Sequence, residues 1–250
     1  MFAFLKSVCL AALALAVLSR PAAAGEALIA VAANFAAPMQ ALEAAFEAES
    51  GHALTVSAGS TGKLYAQIAN GAQFDILLAA DTERPERLEA EGRAVAGSRF
   101  TYAAGRLALW SADPGLIGED GAAVLRAAAF RRLAIANPDL APYGAAAMEV
   151  LSGLGLAETL RPRIVMGENI GQAFAMAASG NAELGFVALS QVAEDEKGSR
   201  WVPPAASYAP IRQDAALLSR AAENEAALAF LEYLKSDEAR AIMEKYGYAP

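Results

Sequence analysis

Short apolar runs alternate along this chain with longer amphipathic stretches, and that alternation leaves few folds open to it. Leu28-Ile29-Ala30-Val31 reads as a buried strand. Met39, Leu42 and Phe46 then recur at helical spacing, in a helix that ends near Gly51. Leu54 to Ser57 reads as a second strand, followed by a turn and a helix carrying Leu64 and Ile68 that Gly71 stops. Phe74 to Leu78 reads as a third strand. Leu107 to Trp110, Leu133 to Ala136, Arg163 to Val165 and Gly185 to Leu189 continue the pattern, with helices through Met148 and Leu151 and through Phe174. Near the end Leu228, Leu231 and Leu234 share a helix face. Asp237 and Glu238 open a last helix that Lys245 and Gly247 close. Such alternation predicts an α/β chain with parallel sheets covered by helices on both faces. Pro- and Gly-rich punctuation near residues 97–105 and 203–210 marks two crossings between two lobes.

The first residues have a different character. Lys6 precedes an apolar run from Val8 to Leu18, Arg20-Pro21 breaks it, and Ala22-Ala23-Ala24 supplies the small-x-small pattern of an export signal. Cleavage is expected after Ala24. The run, about 11 residues, is too short for a stable membrane span. An uncleaved tether is the alternative, and Cys9 lies within the run rather than after it, which disfavours a lipid attachment. Losing Lys6 and Arg20 lowers the 20 basic residues to 18 against 28 acidic ones, a net charge of −10. That balance argues against nucleic acid and against anionic membranes as partners. Cys9 is the one cysteine, so beyond the signal thiol catalysis and thiolate metal sites are excluded. His52 is the one histidine, which rules out a His-rich metal site; at a helix-to-strand turn it reads as a surface loop residue.

Four strand-to-helix junctions are rich in small, hydroxyl or amide residues: Ala32 to Ala36, Ala58 to Leu64, Asn137 to Gly144 and Gly167 to Gln172. Each ends at an expected helix N-terminus, whose first N–H groups lack partners in the helix and favour anions. In α/β sheets such junctions gather at the carboxyl ends of the strands, where ligands bind. Taken singly, Asn34, Ser60 and Thr61 are ordinary helix caps. Gly62 and Gly144 serve tight turns, and Lys63 is a solvated or capping side chain. Four such junctions in an exported chain without catalytic groups point instead to a bound anion. The stretch Ser57 to Lys63 is superficially like a nucleotide phosphate loop. It has Ser57 in place of the first glycine and Leu64 in place of the final Ser/Thr, so a nucleotide site is not expected.

Five collinear stretches, VAANFAAPMQALEAAFEAESGH, SAGSTGKLYAQIANGAQFDILLAAD, ANPDLAPYGAAAMEVL, GENIGQAFAMAASGNAELGFVALSQV and FLEYLKSDEARAIMEKYGY, resemble the periplasmic molybdate-binding proteins of ABC transporters. The resemblance implies a type II periplasmic binding fold: two α/β lobes, a ligand cleft between them and two chain crossings. After a signal at 1–24, residues 25–103 with 206–250 form one lobe and 104–205 the other. It implies ligand contacts from Asn34 with Ala33 beside it, from Ser60 and Thr61, from Tyr143 and from the Ile170 backbone. Where some members carry a tyrosine this chain has Ala188, and Tyr143 supplies the phenol instead. The implied function is capture of molybdate, with tungstate alongside, and delivery to an inner-membrane ABC permease. No catalysis, cofactor or nucleic acid is implied; molybdenum is held only as its oxyanion, and the protein is expected as a periplasmic monomer. Another oxyanion or a small organic anion is the alternative ligand, and a periplasmic hydrolase the alternative class. A fully ionised dianion needs only donors, whereas protonated phosphate also needs an acceptor, for which Asp75, Asp81 and Glu168 are the candidates. An amino-acid ligand would call for arginine, and the junctions have none.

Overall fold

A computed structural model describes residues 24–194 and 197–249. The expected signal, apart from Ala24, lies outside the described residues. The chain builds two five-stranded sheets. The first has the order β2-β1-β3-β10-β4, from β1 (Glu26–Ala32), β2 (Ala53–Gly59), β3 (Ile76–Leu78), β4 (Phe100–Gly105) and β10 (Ile211–Leu217). The second has the order β7-β6-β8-β5-β9, from β5 (Leu107–Ser111), β6 (Leu133–Ala136), β7 (Ile164–Gly167), β8 (Leu184–Ala188) and β9 (Ser199–Trp201). The helices are α1 (Ala36–Ser50), α2 (Thr61–Ala69), α3 (Glu83–Ala90), α4 (Gly121–Ala127), α5 (Pro142–Gly153), α6 (Ala157–Leu160), α7 (Ile170–Ala178), α8 (Glu225–Tyr233) and α9 (Asp237–Lys245).

The expectation of parallel sheets holds only in part, because both sheets are mixed. β1 pairs in parallel with β2 and β3, and β6 with β7 and β8. β10 runs antiparallel to β3 and β4, and β5 antiparallel to β8 and β9. The reason lies in the connections. A parallel neighbour follows from a strand–helix–strand crossover within one sheet. β5 and β10 instead enter their sheets from the other half of the molecule, with no crossover helix to set their direction. Arg106 alone separates β4 from β5, and the chain returns between Trp201 and Ile211. Residues 97–105, read as punctuation, therefore hold β4.

Each sheet is buried on two faces. In the first, Ile29 and Val31 pack with Met39, Leu42 and Phe46 of α1 and with Phe230 of α8. Ala30 and Leu77 face the other way, against Leu64 and Ile68 of α2 and Leu88 of α3. Phe46 meets Phe230 edge-on, with ring centroids 5.2 Å apart. Leu228 does not share the buried face of α8; it is 41% exposed, and Ala227, Phe230 and Leu231 take the inner positions. His52 is half-buried rather than a free loop side chain, and its Nδ1 accepts from the Gly25 amide at 2.9 Å. In the second sheet Leu109, Leu133, Ile135 and Phe186 pack with Leu151 of α5, and the same cluster extends across the cleft to Ala32 and Ala80.

The two lobes therefore touch. The Gly62 amide donates to the Leu140 carbonyl at 2.9 Å, and the Ser190 hydroxyl donates to the Asn34 carbonyl at 2.7 Å. Gly144 sets how closely α5 approaches the end of β6. A Cβ there would lie 2.3 Å from the Ala136 oxygen and 2.8 Å from its carbonyl carbon. Both contacts are backbone, so Gly144→Ala must push the helix off the sheet. It should lower stability by about 1–3 kcal/mol despite alanine's better helix propensity. A urea midpoint that falls at unchanged m-value is the expected result.

Candidate functional site

The carboxyl ends of β1, β2, β6 and β7 face one another across the cleft, so the four junctions meet. They line a small, tight chamber, and Ala33, Asn34, Ser60, Thr61, Tyr143 and Ile170 all contribute to its wall. Junctions one and four are close enough that a Cβ on Gly171 would lie 3.7 Å from that of Ala33. A wider, open groove of ≈ 910 Å³ lies outside, lined by Asp81, Arg84, Glu149 and Arg212 among others. The chamber, where the helix starts converge, is the site that the junction chemistry singles out.

Each junction equips the chamber differently. After β1 the chain makes one tight turn, Ala33–Phe35, without a side-chain cap. Asn34 is buried, and its Nδ2 donates to Gln213 Oε1 at 3.0 Å and to the Tyr248 hydroxyl at 2.8 Å. Both amide protons are thus committed, so what this turn offers a ligand is main-chain N–H rather than the expected side-chain amide. After β2, Ser60 precedes α2 in extended conformation and does not cap it. Its hydroxyl is buried, and among the described residues it has no hydrogen-bond partner. Thr61 Oγ1 accepts from the Ala80 amide at 3.0 Å, which leaves its own proton for another acceptor.

In the third junction Pro142 opens α5, where a missing N–H costs nothing. Tyr143 follows, buried, with its hydroxyl accepting from Gln213 Nε2 at 3.1 Å. Burial first, and the adjacent Tyr248 second, hold the Tyr143 phenol protonated well above the usual range. In the fourth, Asn169 caps α7 by accepting from the Gln172 amide at 3.0 Å, and Ile170 begins the helix. Ser60 and Thr61 are thus not the caps that their residue types suggest. Side chains do cap α4, α8 and α9, through Asp120, Asn224 and Ser236. An uncapped helix start keeps its first N–H groups for something else.

Among the described residues, no charged side chain lines the chamber. Asp75 sits at the far end of β3, bound to Arg220 and to the Leu28 amide. Asp81 pairs with Arg84 beside the outer groove; burial raises its pKa, against the pull of Arg84. Glu168 takes a 2.7 Å bond from Lys63 across the cleft mouth, which lowers its pKa, and the two are about half exposed. The three candidate acceptors are therefore engaged elsewhere. Sequence reading missed Gln213, Tyr248, Tyr102 and Ser190, which hold Asn34 and Tyr143 from behind. The available signal was Arg212-Gln213-Asp214 inside β10, three polar residues of which burial obliges Gln213 and Asp214 to find partners.

The sequence pattern described as bacterial extracellular solute-binding protein matches residues 27–249. The chain is 52% identical over 240 residues to the molybdate-binding protein ModA of Azotobacter vinelandii, covering 95% of each. The chain belongs to the bacterial extracellular solute-binding family. Within that family it is also 51% identical to the molybdate-binding protein ModA of Rhodobacter capsulatus over 231 residues, 92% of this chain and 91% of that one. The solved periplasmic molybdate-binding protein of Azotobacter vinelandii superposes with a TM-score of 0.87 at 43% identity, covering 90% of this chain and 99% of the other. The family's two-lobed α/β fold is thus the fold of this chain.

The two hydroxyls of the second junction should respond oppositely to removal. Ser60→Ala discards a buried, unpartnered group and should leave the ligand-free protein as stable or more so. Thr61→Ala orphans the buried Ala80 amide and should cost about 1–3 kcal/mol. Thermal unfolding of both variants without ligand checks the contrast; equal losses would mean that Ser60 has a structural partner.

Proposed function

We propose that this chain captures molybdate outside the cytoplasmic membrane, with tungstate as a second ligand, and delivers it to the permease of an ABC importer. The observation that carries this reading is the Ser60 hydroxyl, buried and, among the described residues, unpartnered where four helix starts converge. A buried polar group without a partner costs free energy that a bound acceptor would recover. Its neighbours in the chamber are donors too: the Thr61 and Tyr143 hydroxyls, and the first N–H groups of the turn at Ala33 and of the helix at Ile170. A fully ionised tetrahedral dianion accepts from all of them and asks for no acceptor in return. The relatives at 52% and 51% identity carry the name of molybdate-binding proteins, which gives the anion its identity. The reading is of binding without catalysis or cofactor, by a periplasmic monomer cleaved after Ala24.

The lobes, residues 25–103 with 206–250 and residues 104–205, would part to admit the anion and close over it about the links at Arg106 and at 202–210. With formal charge absent from the chamber wall, attraction comes from aimed dipoles in a dry space, where hydrogen bonds are stronger than in water. A donor ring spaced for molybdate would make longer, poorer bonds to the smaller sulfate.

At a thousandfold excess over its dissociation constant, a ligand specific for the folded state stabilises by about 4 kcal/mol. Molybdate and tungstate should each raise the melting temperature by several degrees, and phosphate should not; equal shifts with phosphate reject the assignment. Affinity for molybdate, measured by calorimetry from low to high sodium chloride, should change little, because buried bonds are weakly screened. Lys63→Ala should bind nearly as well as the parent, since Lys63 is engaged with exposed Glu168 at the cleft mouth. A steep salt slope with a large Lys63→Ala loss would instead mean a charged site.

A further inference from the structure

We propose that Gln213 sets the polarity of the site: by donating to the Tyr143 hydroxyl, it obliges that hydroxyl to turn its proton, not its lone pairs, towards the anion. Gln213 is a positioning residue, and its role rests on reading the chamber as an oxyanion site. It is wholly buried on β10, between exposed Arg212 and buried Asp214, with the apolar Ala215 to Leu217 beyond. A buried amide in such a strand is costly unless each of its groups is bonded. Here Oε1 accepts from Asn34 Nδ2 at 3.0 Å and lies 3.0 Å from the Tyr102 hydroxyl, whose one proton is shared with the Ala79 carbonyl at 3.1 Å, and Nε2 donates to Tyr143 at 3.1 Å.

An amide can be turned over without changing its shape, so its direction must come from a group that cannot turn. That group is the main-chain carbonyl of Asn34. The Tyr248 hydroxyl lies 2.9 Å from this carbonyl oxygen and 2.8 Å from the Asn34 side-chain amide. Tyr248 has one proton. If the Asn34 amide were reversed, the phenol would face two carbonyl oxygens with a single proton between them, with Ser190 the second donor to the main-chain one. In the structure the Asn34 nitrogen faces Tyr248, its second proton lies on Gln213 Oε1, and the Gln213 nitrogen faces Tyr143. Tyr102 then shares its one proton between Gln213 Oε1 and the Ala79 carbonyl. The order runs from a fixed carbonyl through Tyr248, Asn34 and Gln213 to the chamber wall.

Tyr143 comes from the second lobe and Gln213 from the first, so the bond spans the cleft. It does so where the lobes are joined. A Cβ on Gly105, the last residue of β4 before the Arg106 link, would lie 2.0 Å from the Tyr143 oxygen and 2.5 Å from Gln213 Nε2. The pair thus rests on bare backbone beside the hinge, where a closing rotation displaces atoms least. With its lone pair taken by Gln213, the Tyr143 hydroxyl has one proton to give. Its other neighbour is Tyr248, from which an entering anion would divert it. An acceptor in place of that proton would oppose a dianion and suit a protonated one, so Gln213 is also a determinant of selectivity.

Gln213→Glu keeps the side-chain shape and makes the polarity titratable. A neutral carboxyl can donate to Tyr143 as the amide does; a carboxylate can only accept, and it draws the Tyr143 proton away from the anion. The ionisable groups facing position 213 are Tyr102, Tyr143 and Tyr248, all raised by burial, and the carboxylates whose charge reaches Tyr102 are Asp214, paired with Arg99, and Asp81, paired with Arg84. Molybdate calorimetry on the mature chain across the pH range should give a nearly flat profile for the parent. Gln213→Glu should approach parental affinity at acid pH and lose roughly 10- to 150-fold as its carboxyl ionises, the worth of one bond to a charged group. Gln213→Met, uncharged, separates this relay from simple repulsion. It should weaken binding about as much as Tyr143→Phe does, and the double variant should be no weaker than either single one. Parallel pH profiles for parent and Gln213→Glu overturn the inference, as do losses for Gln213→Met and Tyr143→Phe that add in full. Should Gln213→Met not fold, the Gln213→Glu profile decides alone. Failure of the parent itself to bind molybdate would instead remove the functional reading beneath it.

Discussion

Every helix begins with N–H groups that its own turns cannot satisfy, and this chain turns several of those helix starts towards one point. The rest of the architecture follows from keeping them there. Two sheets are needed because one sheet presents its strand ends along a line, whereas a tetrahedral acceptor has to be met from several sides. Residues at the junctions must be small, so that backbone can come close. The lobes must touch, because donors aimed into water would gain nothing over water itself. The contacts at Gly62–Leu140 and Asn34–Ser190 are where that closeness is made, a few residues from the chamber on either side.

Charge is handled by exclusion. The chain is strongly acidic, yet the candidate acceptors Asp75, Asp81 and Glu168 are tied to Arg220, Arg84 and Lys63, and among the described residues no carboxylate lines the chamber. The hydroxyls of Ser60, Thr61 and Tyr143 stand in the wall, and behind it the side-chain oxygen of Gln213 and the main-chain oxygen of Asn34 are turned to other partners. The buried set of Tyr102, Tyr248, Asn34 and Gln213 uses its oxygens on one another and on main-chain groups. Specificity for the protonation state of a ligand is in this sense built one layer further back than the residues that would touch it.

The sequence made much of this legible, for identifiable reasons. Apolar runs such as Leu133 to Ala136 are buried on both faces and stand out from any neighbour, so the observed strand has the expected limits. The helices after them show their periodicity for the same reason. What stayed hidden had weak or contrary local patterns. Glu83 to Ala90 is mostly charged and buries only Pro85 and Leu88, so α3 gives little periodic signal. β10 carries Arg212, Gln213 and Asp214 within its span, so no apolar run marks it as a strand. The site residues were found because junction chemistry is local. Their supporting shell was not, because Asn34 and Tyr248 lie 214 residues apart and no local pattern connects them.

The strand order of the first sheet has a consequence for how the molecule is made. β10 lies between β3 and β4, so an interior strand of the first sheet is drawn from chain that follows the whole second lobe. While residues 211–217 are still missing from a growing chain, β3 and β4 have no common neighbour, and the first lobe's core lacks Ala215 and Leu217 as well as the cover of Phe230. Contacts of such long sequence separation form late and slowly. The N-terminal half therefore cannot lock itself into a finished domain ahead of the rest, and export of the kind expected from residues 1–24 would act on a chain that stays loose until its last strand arrives.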